Sequence, residues 1–273
     1  MGQAKIKQRA AFAPHLIAAW EAEGCVNFAF ALARLTGWLL HVDWWTPSTD
    51  HTVDTPIEKM RPLRVYVADN HNLIFDVRGV KSIVDFNEGS IAPLARKFGS
   101  GGVRTRFYDE VGISALQLQF QVDEEKIAQA TEAIKENSYF LAAIPLRQPP
   151  YIPAYEAAKF TYGRCAAFAE VMYELTGLPP TALLAVRFLP LYEGTQRGAS
   201  GYFHSVVLHD DGMAEDSWGK ASLSEIARRF GVVEFKTSDD EHRIVVNNLK
   251  LSSADLYEDA RQEATVLVRQ YRI

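Results

Sequence analysis

The feature that most limits what this chain can fold into is that it repeats itself. Cys25-Val26-Asn27-Phe28-Ala29, followed by Leu35-Thr36-Gly37, matches Cys165, Phe168, Ala169, Leu175, Thr176 and Gly177 at a constant spacing of 140 residues. Asp76-Val77-Arg78-Gly79 matches Asp216-Ser217-Trp218-Gly219 at that same spacing of 140. Two separated blocks in one register, with no net insertion between them, point to a tandem duplication of one fold. The 273 residues then divide into two units, each long enough to bury its own core. Pro145, Pro149, Pro150 and Pro153 crowd a segment that cannot continue a helix. The expected division is therefore an N-terminal unit over 1–144, a Pro-rich linker over 145–153 and a C-terminal unit over 154–273.

Within the second unit, Phe168, Val171, Met172 and Leu175 follow the i, i+3, i+4, i+7 spacing of one helix face, and Gly177 stands where a helix-ending glycine belongs. Cys165 falls in the first turn of that helix. Unpaired N–H groups and the helix dipole favour negative charge there, which makes a thiolate easier to form. A free cysteine is more often a small buried hydrophobe, so this position alone does not make a nucleophile.

The pattern predicts α+β units, each with a cysteine-bearing helix packed on an antiparallel sheet. In the first, helices are expected over 10–20, 25–36, around 91–98 and over 123–137, with strands over 38–45, 64–68, 73–77, 103–108 and 114–122. In the second, helices are expected over 154–162, from Cys165, from the capping box Ser222-x-x-Glu225 and over 253–271. Its strands are expected over 182–188, 202–208, 213–218, 232–235 and 243–249, with a loop over 189–201. The glycines of Gly99-Ser100-Gly101-Gly102 read as a turn rather than a phosphate cradle, because the matching point of the second unit is only a helix-ending Gly231.

Charge narrows the partners. A net charge of −5 and no dense Lys/Arg run leave no electrostatic footprint for nucleic acid or an anionic membrane surface. No stretch reaches the roughly 18 apolar residues of a membrane span. Lys5, Lys7 and Arg9 before an apolar segment imitate a secretion signal, but residues 13–25 match 153–165 in repeat register and so belong to the fold. The expectation is a soluble cytoplasmic protein with no nucleic-acid or membrane partner. Its oligomeric state is not legible. The two cysteines read as free thiols, and with no Cys-x-x-Cys or His-Glu-x-x-His pattern no metal site or cofactor is expected.

A cysteine nucleophile needs a histidine to take and return its proton and a third group to fix the imidazole. His204 and Asp216 suit these roles on one hairpin. With Asp210–Gly212 as the loop, His209 pairs with Met213, Val206 faces Asp216 and His204 faces Trp218, all on one side of the sheet. Asp216 is then the diagonal neighbour of His204, and His209 points the other way.

Cysteine at a helix start followed by Ala-Ala-Phe-Ala, then His-Ser-Val-Val on a strand, then Asp216-Ser217-Trp218-Gly219, resembles the papain-like cysteine hydrolase superfamily. That group includes papain-type and NlpC/P60-type peptidases and the transglutaminase and arylamine N-acetyltransferase relatives. The papain pattern has Asn-Ser-Trp-Gly where this chain has an aspartate; the transglutaminase-like branch uses Cys, His and Asp. The resemblance implies Cys165 as nucleophile, His204 as base and acid, and Asp216 as orienter, with Tyr162 and Trp218 at a substrate cleft. It implies a thiol protease or other hydrolase acting on a peptide, isopeptide or amide bond of a protein or peptide. An acyltransferase or deamidase, or a non-catalytic peptide-binding pseudoenzyme, are the alternatives. The papain pattern also places an oxyanion-binding glutamine six residues before the cysteine, where this chain has Lys159.

The first unit keeps Cys25 and Asp76, but the position matching His204 is Arg64 and that matching Trp218 is Arg78. Arginine stays protonated and cannot act as a general base. An Arg64–Asp76 ion pair in a degenerate copy is expected. His41, His51 and His71 are out of register.

Overall fold

The computed structural model describes residues 11–50, 54–147, 151–192 and 201–273. Residues 1–10, His51, Pro149, Pro150 and most of the loop expected over 189–201 lie outside these. The chain separates into two compact units, Met1–Arg147 and Gln148–Ile273. Pro145 belongs to the first, where its carbonyl accepts the indole N–H of Trp38, and Ile152 is buried in the core of the second.

The first unit runs α1 (Pro14–Ala22), α2 (Val26–Thr36), β1 (Leu39–Thr46), β2 (Arg61–Ala68), β3 (Leu73–Asp76) and β4 (Gly79–Ser82). It continues through a broken helical run over 83–98, β5 (Gly102–Tyr108), α3 (Glu110–Ala115), α4 (Glu124–Glu136) and α5 (Ser138–Leu141). The second runs α6 (Ala154–Lys159), α7 (Cys165–Thr176), β6 (Pro180–Phe188), β7 (Tyr202–Leu208), β8 (Ala214–Asp216), β9 (Gly219–Ala221), α8 (Leu223–Arg229), β10 (Val232–Ser238), α9 (Asp239–Ser252) and α10 (Ala254–Tyr271).

Each unit has one five-stranded sheet, ordered β4-β3-β2-β1-β5 and β10-β6-β7-β8-β9, which is a single topology read from opposite edges. All strand pairs are antiparallel, so both units are α+β. The registers agree as well. Asp43 pairs with Arg64 as Leu183 pairs with His204, Val67 with Phe75 as Val207 with Glu215, and Asp76 with Gly79 as Asp216 with Gly219. Even the irregularity is shared: the register slips after Asp43 and after Leu183, leaving Leu63 and Phe203 as the extra residues of matching β-bulges.

Each core fills around the cysteine helix. Phe28, Ala31 and Leu32 of α2 pack with Val65, Val67 and Phe75, and Phe168, Val171 and Met172 of α7 pack with Val207 and with Ala260, Ala264 and Val268 of α10. Opposite the first group, Leu183, Val206 and Ala214 meet Ile226 and Ala227 of α8. That helix starts where its capping box predicts, with Ser222 Oγ accepting from the Glu225 N–H at 3.2 Å. Ser82 caps the matching point of the first unit by accepting from Asp85 N–H at 3.1 Å.

Two expected strands among the described residues are absent, one replaced by helix and one mostly irregular. Residues 243–249 lie inside α9, because Ser238 caps the segment, three acidic residues fill its first turn, and His242 and Val246 are buried one turn apart. The β-branched run Ile244-Val245-Val246 imitates a strand but carries only one fully buried side chain. Over 114–122, Asp109 caps the short helix α3 and no strand follows. The strand expected to reach Trp218 stops at Asp216, since Ser217 and Trp218 make the turn into β9. In the Gly99–Gly102 cluster, Gly99 ends the helical run with φ 88°, Gly101 packs where a Cβ would meet the Thr46 carbonyl oxygen, and Gly102 starts β5. Among the described residues, no single helix is long and apolar enough to cross a membrane.

Candidate active site

Cys165 is the first helical residue of α7, following Arg164 at the cap position. Its backbone N–H therefore belongs to the first turn, where donors have no acceptor within the helix. The side chain is 4 % exposed. The Tyr202 hydroxyl lies 3.3 Å from Sγ. The nearby His204 and the Ser205 backbone N–H also favour a charged sulfur, although His204 Nδ1 itself makes no hydrogen bond among the described residues. Burial pushes the thiol up, yet the His204 charge and these neighbours outweigh it and leave Cys165 below the ordinary thiol range. Burial likewise opposes charge on His204, but the Cys165 thiolate and the hydrogen bond to Asp216 raise it to about 9. The two shifts agree in sense: each group favours the charged form of the other.

His204 Nε2 donates to Asp216 Oδ2 at 3.1 Å. The hairpin register that joins them is the one the sequence predicts, with Val207 opposite Glu215 and the His209 N–H bonded to the Met213 carbonyl. His209 points away as expected, toward Glu215 at 2.9 Å. Asp216 is held from several sides. Its Oδ1 accepts the Trp218 N–H at 2.9 Å, and Arg229 Nη1 reaches both oxygens at 3.0 and 3.1 Å. Burial opposes the charged carboxylate, but Arg229 foremost and then His204 keep its pKa below the usual range. The turn itself is tied down by the Ser217 hydroxyl, which donates to the Ala157 carbonyl at 2.8 Å.

Sequence reasoning missed Arg229, Tyr202 and Phe230. Phe230 lies against His204 at a tilt of 37° with centroids 4.7 Å apart and meets the ring of Tyr162 at 5.5 Å. Tyr162 is 70 % exposed and so stands at the surface over this cluster. Trp218, which left the strand ladder for the turn, donates its indole N–H to Thr161 Oγ1 at 2.9 Å. Tyr162, Gly163 and Arg164 also line a cavity of about 330 Å³ at the start of α7. Lys159 does not point to the thiol: its ammonium is bound by Glu156 and Glu263, each at 2.8 Å.

The matching place in the first unit holds a different arrangement. Arg64 Nη2 is 3.0 Å from Asp76 Oδ1 and 2.8 Å from Glu21 Oε1, and Arg78 also binds Glu21. The two guanidinium groups hold Glu21 down at about 2. Cys25 is 1 % exposed, and burial, only partly offset by Arg64, drives its thiol far above the ordinary range. Instead of starting the helix, Cys25 precedes it with a left-handed backbone, φ 61°. A side chain is strained there. Both cysteines are free. No group of three His, Cys, Asp or Glu side chains suited to a metal ion occurs among the described residues. Compared with models of known families, with curated proteins and with solved structures, the chain gives no match in any of the three.

Proposed function

We propose that the second unit is a cysteine hydrolase of papain-like type, acting on a peptide, isopeptide or amide bond, and that the first unit is its degenerate copy. The observation that carries this reading is the buried line imidazole, carboxylate, carboxylate-binding arginine, set within one unit near a cysteine at a helix N-terminus whose thiol is held below its ordinary range. Cys165 Sγ attacks the carbonyl carbon as thiolate. The oxyanion takes the Cys165 N–H of the first turn. His204, already protonated, gives its proton to the departing amine as the carbon–nitrogen bond breaks and the thioester remains. A water then loses a proton to His204, attacks the thioester and releases the acid. Asp216 holds the imidazole throughout without taking the proton.

A second reading, a binding protein that has kept the triad without turnover, draws on the burial of Cys165 and His204 beneath Phe230. Alkylation by iodoacetamide at about pH 6 separates the two. A catalytic thiolate reacts fast there and an ordinary buried thiol does not. Fast, His204-dependent modification of Cys165, with a covalent adduct from an electrophilic peptide panel by intact mass, supports the hydrolase. A Cys165 that stays unmodified sinks it.

A further inference from the structure

A second chain of polar groups, sharing none with Asp216, ends at the same sulfur. The Tyr202 hydroxyl lies 3.3 Å from Cys165 Sγ and 3.0 Å from Ser205 Oγ; Ser205 Oγ lies 3.0 Å from His242 Nδ1; and His242 Nε2 lies 3.0 Å from Glu170 Oε1. Ser205 and His242 are each 1 % exposed, whereas Glu170 opens toward solvent at 22 %. Strict strand alternation would put residues 202 and 205 on opposite faces. The bulge at Phe203 resets the alternation and lets the two hydroxyls meet.

The donor inventory allows two directions for this chain. Tyrosine and serine each have one proton to give, and a carboxylate only accepts. If His242 is neutral, its Nε2–H goes to Glu170, its Nδ1 accepts from Ser205, and Ser205 accepts from Tyr202. The phenol oxygen then turns a lone pair toward the sulfur. If His242 is an imidazolium, Nδ1–H donates to Ser205, Ser205 donates to Tyr202, and Tyr202 donates to sulfur. Only the second is compatible with a thiolate, which would repel a lone pair 3.3 Å away. Tyr202 keeps its proton at neutral pH, because burial foremost and the adjacent Cys165 raise its pKa.

We infer that Glu170 and His242 form a second acid pair that aims the Ser205 and Tyr202 hydroxyls at Cys165, making Tyr202 a thiolate donor in the reaction centre and Glu170, His242 and Ser205 positioning residues. The comparison between units supports it independently. At the 140-residue spacing, Tyr202, Ser205 and Glu170 are matched by Pro62, Val65 and Phe30, so the chain is present only where the histidine is. The charged groups around it are Lys250 of α9 and Arg261 of α10, which flank Glu170, and Glu241 of α9, which lies toward Tyr202.

The inference rests on the reading of Cys165 as a thiolate nucleophile, and its test keeps the two apart. Cys165 alkylation by iodoacetamide, followed by peptide mapping from about pH 5 to pH 9, gives a rate profile with a midpoint for the full chain and for Tyr202→Phe, His242→Gln and Glu170→Gln. Removing a charge-assisted hydrogen bond to the thiolate is expected to move the midpoint up by about one pH unit and to slow reaction at about pH 6 roughly tenfold. Glu170→Asp recovers part of the loss, which a merely structural role would not produce. Glu170→Gln, at a partly exposed site, is the variant to trust if the buried ones unfold. Variants that fold and keep the wild-type midpoint overturn the inference while the nucleophile reading stands. If wild-type Cys165 titrates as an ordinary thiol, the nucleophile reading fails; the midpoint then still rises in the variants if Tyr202 donates, and stays if it does not.

Discussion

In the first unit Asp76 takes its arginine from strand β2, as Arg64; in the second, Asp216 takes its arginine from helix α8, as Arg229. Counted from the matching helix caps Ser82 and Ser222, the position of Arg229 is Gly89 in the first unit. The position of Arg64 is His204 in the second. Each buried aspartate therefore has one guanidinium, and what differs is the element that delivers it. An arginine on the strand fills the place a base needs. An arginine on the helix satisfies the same carboxylate from behind and leaves the strand free for an imidazole. The difference teaches that a buried carboxylate requires a compensating charge, and that the element delivering it decides which side chain the neighbouring strand position can hold.

The most direct way to break this comparison uses the two thiols of one molecule as each other's control. At about pH 6, Cys165 is expected to alkylate on the order of 100-fold faster than Cys25, given a thiol lowered by His204 beside one raised by burial. Cys165→Ala is expected to abolish the fast phase and any turnover, and Cys25→Ala to leave both unchanged. The opposite result by peptide mapping would mean that the live and degenerate units have been exchanged.

The relocation of the arginine gives the next largest effect. His204→Arg places a second guanidinium beside Arg229 and is expected to destabilise the second unit by about 3–5 kcal/mol in denaturant titration. Arg229→Gly in that background should restore part of the loss, since one arginine per aspartate is what the first unit has. Additive losses in the double-mutant cycle would show that the two positions are not coupled.

A third expectation sharpens the contrast through pH. Asp43, 1 % exposed on β1, is pushed up to about 6 by burial, against hydrogen bonds from Thr105 and Tyr66. The matching residue of the second unit is Leu183. A carboxyl whose folded pKa lies above the unfolded value of about 3.9 favours the folded state below that value and loses the contribution as pH rises to about 6. The first unit should therefore weaken by on the order of 1–3 kcal/mol across that window. Asp43→Asn should flatten this part of the profile, and an unchanged slope would remove Asp43 as its source.

The smallest effect tests whether the units remain alike where they look alike. Ser82→Ala and Ser222→Ala each remove one capping acceptor and are each expected to cost about 1 kcal/mol. Thermal unfolding that shows a cost at only one cap would limit the equivalence to the sheet.

What could be read from the residues, and what could not, divides along a physical line. Cys165, His204 and Asp216 were legible because each sits in a local pattern: a helix start, a strand parity and a hairpin loop of fixed length. The equivalence of Arg64 with His204 followed from spacing alone. Arg229, Phe230 and His242 act through contacts between elements far apart in sequence, and nothing local marks an arginine in a helix as the partner of a distant aspartate. Tyr202 was hidden for a subtler reason. Its meeting with Ser205 depends on the bulge at Phe203, and one extra residue in a strand leaves no mark in composition. Residues 243–249 were misread because β-branched content was weighed above the serine cap and acidic first turn that start a helix there.

The left-handed turn at Gly24 and Cys25 sets the main chains of the two units apart. With φ 63° and 61° at these two residues, α2 begins one position later than α7, and the Gly24 carbonyl accepts the Val65 N–H at 3.1 Å. The main chain thus holds Cys25 ahead of the helix and ties Gly24 to the neighbouring strand. A histidine placed at position 64 would stand near a cysteine that the main chain holds one position ahead of its helix, unlike Cys165. Side-chain substitution alone would therefore not make Cys25 equivalent to Cys165, because the backbone that carries each thiol differs.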